Sequence, residues 1–224
     1  MKFKPTKRVK ELINTALSKA HLLPIITALR VSKKIEIDQG HFKSVYHWQS
    51  VDNQGRPIPW FTYPAIEYIK SLDISHMKVF EYGSGNSTLY WSKKAKLVMA
   101  VEHDNSWFKT INYKLRKRIN AALIYIKDLN EYVGQISKYK YKFDIIVIDG
   151  LFRKECAMAA LDKLSDSGVI ILDNSELNRD VCLYFRQHGL IQIDFVGFGP
   201  INPYSWCTSI FLSKNFRPVF NAKK

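Results

Sequence analysis

Residues 78–91, KVFEYGSGNSTLYW, constrain the fold more than any other stretch of this chain. A short apolar run ends at Glu81, breaks at Gly83 and Gly85, and restarts at Asn86 ahead of further apolar residues. This order predicts a β-strand, a tight turn and the start of a helix in succession. Glycine in such a turn permits positive φ angles and lets a ligand approach bare backbone, while the first helical turn offers unpaired N–H groups.

A second strand with an acidic end follows along the chain. The apolar run 97–101 stops at Glu102, and a carboxylate at that position can accept two hydrogen bonds from a ribose diol. The glycine turn and Glu102 together predict a nucleoside site, which NAD or S-adenosylmethionine could occupy. The dinucleotide fingerprint has glycine where this chain has Thr88, and the acid at Glu81 suits a ligand that carries an ammonium group.

At these residues the chain resembles the class I S-adenosylmethionine-dependent methyltransferases, whose first motif reads acid-x-Gly-x-Gly and whose second strand ends in an acid. The resemblance covers roughly residues 60–212. It implies an enzyme with S-adenosylmethionine as cofactor, although the aminopropyltransferases share the same fold. The cofactor residues that it implies are Glu81, Gly83, Ser84 and Gly85 for the methionine end, Glu102 for the ribose, Asp128 for the adenine amino group and Asp149 near the sulfonium.

Apolar strands and helical segments alternate after the glycine turn. Continuous apolar strands separated by helices predict a parallel sheet that is covered on both faces. The last two strands are joined by a loop too short for a crossover helix, so one of them is expected to run antiparallel. The chain is therefore predicted to be an α/β protein with the seven-stranded, mostly parallel, Rossmann-like sheet of the methyltransferases. After the first strand, the predicted strands are 97–101, 122–126, 144–148, 169–172, 190–196 and 206–212, and the predicted helices are 86–94, 106–119, 131–139, 154–164 and 178–188.

Acidic residues end several of these strands, and the carboxyl ends of parallel strands meet at one edge of the sheet. Asp149 follows one strand, and Asp173 with Asn174 follows the next. Two carboxylates and an amide oxygen are ligands that suit Mg²⁺. They are similar to the metal-binding set of catechol-type O-methyltransferases, in which the metal lowers the pKa of a substrate hydroxyl. The resemblance thus implies Asp149 and Asp173 as catalytic residues and Mg²⁺ at Asp149, Asp173 and Asn174.

Arg153 stands near the position at which the catechol-type enzymes carry a lysine. Arginine is essentially never deprotonated, so we expect it to contribute to catalysis by anchoring an anionic substrate. The alternative requires no metal: Asp149 then positions a water molecule or the sulfonium region, and Asp173 caps a helix.

The first 35 residues are strongly basic, with Glu11 as their single acid. Apolar residues recur there at helical spacing, which predicts an amphipathic helix. This helix could pack on the domain with a solvated charged face, or it could rest on an anionic membrane surface. Residues 36–63 are rich in aromatics and prolines, which argue against a regular helix and favour a segment folded over the ligand site, with Trp60 and Tyr63 near it, or one that covers the sheet edge.

The composition adds limits on class and partners. A formal charge of +14 in 224 residues indicates a negatively charged partner, such as nucleic acid, anionic lipid or an acidic glycan. The three cysteines form no framework and are typical of a reduced, cytoplasmic protein, with contact to the inner membrane surface as an open alternative. We expect a basic extension and aromatic cap over 1–60, a methyltransferase domain over 61–215 and a basic tail over 216–224.

The function that the resemblance implies is methyl transfer from S-adenosylmethionine to an oxygen nucleophile. The expected acceptor is a hydroxyl of a glycan, a lipid-linked sugar or a small molecule. Two alternatives stay open: a methyltransferase that acts on nucleic acid, above all RNA, and a nucleoside-binding module without catalysis.

Overall fold

The computed structural model describes residues 6–19 and 22–221, and these residues contain one sheet of seven strands. The strand order is β3-β2-β1-β4-β5-β7-β6. Strand β7 runs antiparallel to both of its neighbours, whereas the pairs among β1 to β5 are parallel. The predicted α/β sheet is confirmed, with the antiparallel strand at the predicted end of the chain. The strands are β1 Lys78–Tyr82, β2 Leu97–Glu102, β3 Ala121–Tyr125, β4 Phe143–Ile148, β5 Leu164–Asp173, β6 Ile191–Gly197 and β7 Trp206–Leu212.

Helices cover both faces of the sheet because successive strand residues point to opposite sides. Val79 of β1 belongs to a buried cluster with residues of α4 and α5, while Phe80 belongs to a second cluster with residues of α7, α8 and α9. A smaller cluster around Ile111 packs α6 on β2 and β3. The helices are α1 Lys7–Lys19, α2 Leu23–Lys33, α3 His41–His47, α4 Tyr63–Ser71, α5 Asn86–Lys94, α6 Asn105–Leu115, α7 Leu129–Gly134, α8 Arg153–Lys163 and α9 Arg179–Gln187.

Several predicted boundaries differ from the observed ones, and one predicted absence of a helix is wrong. Strand β5 begins at Leu164 rather than Val169, because Leu164 pairs with Phe143 across a register shift. Helix α6 ends at Leu115, its last buried residue, instead of continuing to Ile119, whose side chain is fully exposed and packs on nothing. The prolines did not exclude a helix from residues 36–63, since α3 ends at His47, well before Pro57.

The N-terminal helices α1 and α2 expose apolar side chains that a packed helix would bury. In α1 the side chains of Leu12 and Ile13 are exposed, so the apolar face of this helix is not buried against the domain. The same holds in α2 for Ile25 and Leu29. Among the described residues no helix has the length and apolar character needed to cross a membrane.

The segment after β7 lies along the domain as far as it is described. Phe216 is buried in the same cluster as Val79, and Phe220 forms an isolated antiparallel bridge with Leu72. Asn221 donates from its side-chain amide to the carbonyl oxygens of Lys70 and Leu72, at 3.0 and 2.8 Å. These contacts fix the end of the described chain beside α4.

Candidate cofactor and acceptor site

The main cleft lies at the carboxyl end of β1, between its neighbours β2 and β4. The order of the strands reverses at this point, and ligands of open α/β sheets bind in the crevice that the reversal creates. The cleft has a volume of about 490 Å³, within the range of about 300–1,000 Å³ that is usual for small-molecule sites. Its walls include Gly83, Ser84, Glu102, Trp107, Asp149 and Gly150.

Gly83 sits where the turn after β1 touches the turn after β4. Its φ angle is +93°, and a Cβ atom added there would lie 3.0 Å from the carbonyl oxygen of Asp149. Both the backbone angle and the close approach therefore require glycine at this position. Gly85 is different: its φ of 173° is extended, and an added Cβ would lie at least 3.8 Å from its nearest neighbours, Ser87 and Trp107. The packing of the protein does not explain why residue 85 is glycine.

Glu81 does not line the cleft. It stabilises the glycine turn through hydrogen bonds. Its side chain is buried, and it accepts a hydrogen bond from the Thr88 hydroxyl, which also accepts the N–H of Gly85 at 3.0 Å. Thr88 thus explains the departure from the dinucleotide fingerprint. Desolvation raises the pKa of Glu81 to about 7, against the opposing effect of hydrogen bonds from Ser87, Thr88 and Trp91.

Glu102 faces the cleft as the sequence predicts. One carboxylate oxygen accepts the backbone N–H groups of His103 and Asp104 at 2.8 and 2.9 Å, and the other accepts the Ser84 hydroxyl at 2.8 Å. These bonds hold the carboxylate at the tip of β2 and join it to the glycine turn. The arrangement places an acid and a hydroxyl side by side in the cleft wall, a polar pair suited to a ligand that carries hydroxyl groups.

Trp107, in the first turn of α6, is 44% exposed and lines the cleft. Its indole N–H donates to the carbonyl oxygen of Ser84 at 2.6 Å. The sequence gives a weak signal for this role, since the tryptophan stands in the first turn of a helix that follows an acidic strand end. Asp128, by contrast, is exposed, accepts the Glu131 N–H as the N-cap of α7, and does not contribute to the walls of this cleft.

Arg153 occupies the centre of the second predicted set of residues. One terminal nitrogen lies 3.3 Å from Asp149 Oδ1 and 3.2 Å from Asn174 Oδ1, and the other lies 3.2 Å from Asn174 Oδ1. The same guanidinium donates to the carbonyl oxygens of Asp173 and Gly150. All three of its nitrogens are therefore engaged with neighbouring protein atoms, so Arg153 positions Asp149 and does not present a free fork to an anionic substrate.

Asp173 is more deeply buried than Asp149, Arg153 and Asn174. Its carboxylate is buried and accepts the Thr208 hydroxyl and the Trp206 indole N–H, the latter at 3.1 Å. Desolvation, together with the neighbouring Asp149 carboxylate, raises the pKa of Asp173 well above its ordinary value. Asp173 lines neither the cleft nor the pocket beside it, so its carboxylate does not face either hollow.

The predicted Mg²⁺ ligands do not form a metal site in this structure. The oxygens of Asp149 and Asn174 point to the Arg153 guanidinium, and the Asp173 carboxylate is held by β7 residues. Among the described residues no group of three or more His, Cys, Asp or Glu side chains could hold a metal ion. A guanidinium stands where the prediction put the cation, and it supplies positive charge to the same oxygens.

Asp149 is the side chain that connects the cleft to a second hollow. It lines the cleft, and it also lines a smaller pocket of about 100 Å³ with Trp48, Trp60 and Asn86. The carboxylate is 26% exposed, but desolvation by the surrounding protein raises its pKa to about 7, with Arg153 opposing the shift and Glu81 adding to it. A carboxylate with this pKa can accept a proton near neutral pH.

The aromatic wall of the second pocket comes from the segment before α4. Trp48 and Trp60 meet edge to face, with ring centroids 6.4 Å apart. The segment is tied to the start of α5 by Asn86, whose side-chain amide donates to the carbonyl oxygen of Ser50 at 2.7 Å. Trp60 therefore lies near the ligand site as expected, whereas Tyr63 is buried in the first turn of α4 and bonds His41.

The cleft residues fit S-adenosylmethionine. Glu102 suits a ribose diol, and Gly83 keeps the turn close to Asp149. Gly85 lines the smaller pocket at its boundary with the cleft and leaves open space, where an added side chain would meet no protein atom closer than 3.8 Å. Backbone without a side chain at that place is what a bound cofactor needs for close approach.

Comparison with solved structures supports the fold. Chain segments of this protein align with the O-methyltransferase TomG of Streptomyces achromogenes, involved in tomaymycin synthesis and solved with S-adenosylmethionine, at a TM-score of 0.55 and 11% identity over 66% of this chain and 76% of that one. An rRNA methylase from Streptococcus thermophilus aligns at a TM-score of 0.52 and 16% identity over 67% and 97%. Precorrin-6y C5,15-methyltransferase from Geobacter metallireducens aligns at 0.51 and 15% over 62% and 80%.

No protein-family model matches the chain, and no curated protein shows significant sequence similarity to it. At such low identities the structural likeness establishes the fold, which is that of the class I methyltransferases.

We predict that Glu81 makes the stability of the protein fall as the pH rises. Because its pKa is raised in the folded state, the folded protein binds this proton more tightly than the unfolded chain. The stabilisation is complete below pH 4.5 and is lost as the pH passes about 7. Urea unfolding at pH 4.5 and pH 7.5 should show wild type losing on the order of 3 kcal/mol relative to Glu81→Gln, which stays neutral throughout.

Glu155→Gln, at an exposed position on α8, provides the matched control and should follow the wild-type pH dependence. Parallel pH profiles for wild type and Glu81→Gln would contradict the buried, raised-pKa state of this carboxyl.

Proposed function

We propose that this protein transfers a methyl group from S-adenosylmethionine to a hydroxyl oxygen. The observation that carries the proposal is the position of Asp149, which lines both the cleft suited to the cofactor and the aromatic pocket beside it. An acceptor in the smaller pocket would meet the methyl donor next to a carboxylate that can take its proton. The class I methyltransferase fold supports this assignment.

The cofactor residues in the proposal come from the cleft walls and, at Gly85, from the adjoining wall of the smaller pocket. Glu102, supported by Ser84, would accept hydrogen bonds from the ribose hydroxyls. The turn at Gly83 and Gly85 would let the amino-acid end lie against the backbone. Glu81 keeps that turn in place through Thr88 rather than by touching the ligand.

The reaction requires the protein mainly to align the two reactants and to remove the hydroxyl proton. S-adenosylmethionine supplies an electrophilic methyl group on sulfur when it is bound. The acceptor oxygen forms a bond to the methyl carbon as the carbon–sulfur bond breaks, and the hydroxyl proton moves to Asp149. Alignment of the two reactants and exclusion of water then account for most of the rate.

Arg153 serves this reaction as a positioning residue. Its guanidinium holds the Asp149 carboxylate against Asn174 and opposes the rise in the pKa of Asp149. Without it, burial would leave Asp149 protonated at neutral pH and unable to accept a proton. We propose that the fixed charge of Arg153 stands in place of a metal ion, so that no Mg²⁺ is required.

The walls of the smaller pocket favour a sugar-like acceptor. Trp48 and Trp60 present indole rings, and Asn86 and Ser87 present amide and hydroxyl groups. Aromatic surface beside a few polar groups suits a ring that has apolar C–H faces and hydroxyl edges. A glycan, a lipid-linked sugar or a small-molecule hydroxyl is therefore the proposed acceptor class.

A nucleic-acid acceptor is the second candidate, because the chain carries a formal charge of +14. Phosphate contacts make such binding fall steeply with added salt. Methyl transfer to purified RNA that disappears at moderate salt would favour this candidate, whereas transfer to glycan fractions with none to RNA would remove it.

We predict that Gly85→Ala lowers cofactor affinity without lowering stability. The extended φ of Gly85 and the open space around it let the fold accept a methyl group, but that methyl group would occupy the surface proposed for the cofactor. Calorimetric titration should show at least about a tenfold loss of affinity, or about 1.4 kcal/mol, with a thermal midpoint close to that of wild type.

Gly134→Ala is the matched control, because an added Cβ there meets nothing within 4 Å and Gly134 lies on α7, away from the cleft walls. It should bind the cofactor as wild type does. Unchanged affinity in Gly85→Ala would show that the ligand does not approach this turn.

We predict that Asp149→Asn lowers the rate of methyl transfer by about 10²–10⁴-fold, the usual contribution of a general base. In wild type kcat/KM should rise with pH up to about 7 and then level off, since the Asp149 carboxylate accepts a proton only when ionised. The variant should lack this dependence. Asp162→Asn, at an exposed position on α8, is the control and should keep the wild-type profile.

The same assay in the presence of a chelator tests the role given to Arg153. Turnover should survive chelation, because a guanidinium already holds the Asp149 and Asn174 oxygens. Loss of turnover that is restored by Mg²⁺ would contradict this role and return the metal to the site.

A further inference from the structure

The N-terminal arm, defined as residues 6–48, exposes many large apolar side chains. Leu12 is 65% exposed, Leu29 64% and Phe42 66%. Single exposed apolar residues are ordinary on a protein surface, but a continuous succession along three helices indicates a binding surface. The exposed large apolar side chains of the described part of the arm are Leu12, Ile13, Leu22, Ile25, Leu29, Val31, Ile37, Phe42, Val45, Tyr46 and Trp48.

Basic residues accompany this apolar surface. At 100° per residue, Leu12, Ile13 and Ala16 fall on one face of α1, and Arg8 and Lys10 fall on its two borders. Glu11 falls on the opposite face. In α2 the last turn carries Arg30 and Lys33, followed directly by Lys34. Long basic side chains beside an apolar stripe can bury their stems and keep their charges at a polar boundary.

The inner end of the arm is fixed to the domain. The Ser44 hydroxyl donates to the carbonyl oxygen of Val51 at 2.8 Å, and Lys43 donates to that of Asn53 at 2.8 Å. A Cβ on Gly40 would lie 2.3 Å from the backbone of Asp52, so α3 packs closely on this loop. The exposed apolar surface therefore belongs to a segment with a defined attachment.

We propose that the N-terminal arm binds the surface of an anionic lipid membrane. In this arrangement α1 lies in the plane of the interface, with Leu12 and Ile13 among the acyl chains and Arg8 and Lys10 near the lipid phosphates. Such a helix is stabilised by buried apolar area together with attraction to anionic headgroups, each basic residue near the surface adding to the attraction. The described helices of the arm have 13, 11 and 7 residues, fewer than the roughly 20 that cross a bilayer, and the proposed contact lies at the interface.

Charge distinguishes a membrane from a second copy of this chain as the occupant. Two copies would bring their basic arms together, and each chain carries a formal charge of +14. Like charges in an interface oppose association, whereas an anionic bilayer attracts them. An anionic membrane would therefore contact both the apolar stripe and the basic borders favourably. A dimer would bury the apolar stripe but bring like charges together.

The arm leads directly to the acceptor pocket. Trp48, the residue that follows α3, is 69% exposed and also lines the pocket that contains Asp149. If the proposed methyl transfer holds, this position would present the pocket to an acceptor at the membrane surface, which favours a lipid-linked sugar among the acceptors considered above. The membrane contact itself does not depend on that reaction.

The experiment is sedimentation of the 224-residue chain with vesicles, in the absence of cofactor and acceptor. One set of vesicles contains phosphatidylcholine alone, and the other also contains phosphatidylglycerol. The protein should sediment with the anionic set, sediment much less with the neutral set, and lose binding as salt is added, because salt screens the headgroup charge.

Four variants separate the contributions. Leu12→Asn with Ile13→Asn, and Arg8→Gln with Lys10→Gln, should each weaken binding to anionic vesicles at least about tenfold. Glu11→Gln should strengthen it about threefold, a gain that a folding defect cannot produce. Lys117→Gln with Arg118→Gln removes two exposed charges outside the arm and should leave binding close to wild type.

Absence of wild-type binding to anionic vesicles at low salt would overturn the proposal. Equal loss in the Lys117 and Arg118 control would also overturn it, because general charge rather than the arm would then be responsible. A wild-type dimer in solution that Leu12→Asn with Ile13→Asn disperses, without any vesicle binding, would assign the surface to a second copy instead.

Discussion

The contact between two turns determines the rest of the site. The turn after β1 meets the turn after β4 at Gly83, where a side chain would lie 3.0 Å from the Asp149 carbonyl oxygen. This close approach brings the β4 turn to the edge of the cleft that we propose for the cofactor. Asp149 consequently stands between the cleft and the aromatic pocket, and Arg153, one helical turn later, can reach its carboxylate. A larger residue at 83 would separate the two turns and with them the proposed donor and acceptor sites.

The sequence predicts the strands of the sheet well because strand positions and strand ends follow from local patterns. The continuous apolar runs, the acids that end them and the glycine turn each depend on neighbours along the chain. The partners of a side chain, by contrast, do not depend on neighbours along the chain alone. Asp149, Asp173 and Asn174 have the composition of a metal site, but Arg153 of α8 contacts the side-chain oxygens of Asp149 and Asn174. Thr208 of β7, which pairs with β5, donates to the Asp173 carboxylate. Both contacts depend on tertiary packing, which local sequence patterns do not show. Exposure of the α1 apolar face was equally hidden from the sequence, since a helix packed on the domain has the same pattern.

Charged residues occur in two different environments in this molecule, one buried and one exposed. Inside the site, buried carboxylates have raised pKa values, and a single guanidinium keeps Asp149 in a state that can lose and accept a proton near neutral pH. Outside, the N-terminal arm carries unburied basic residues beside exposed apolar ones. Trp48 belongs to both regions, because it ends the arm and lines the acceptor pocket. The proposed membrane contact and the proposed acceptor class are therefore linked by the chain itself.

A crystal structure with S-adenosylhomocysteine would show whether a nucleoside lies across the ends of β1 and β2, as we propose. Both ribose hydroxyls should then lie within hydrogen-bonding distance of Glu102, and the amino-acid end should lie against the backbone of residues 83–85. A ligand bound elsewhere, or one in this cleft that does not touch Glu102, would contradict this proposal.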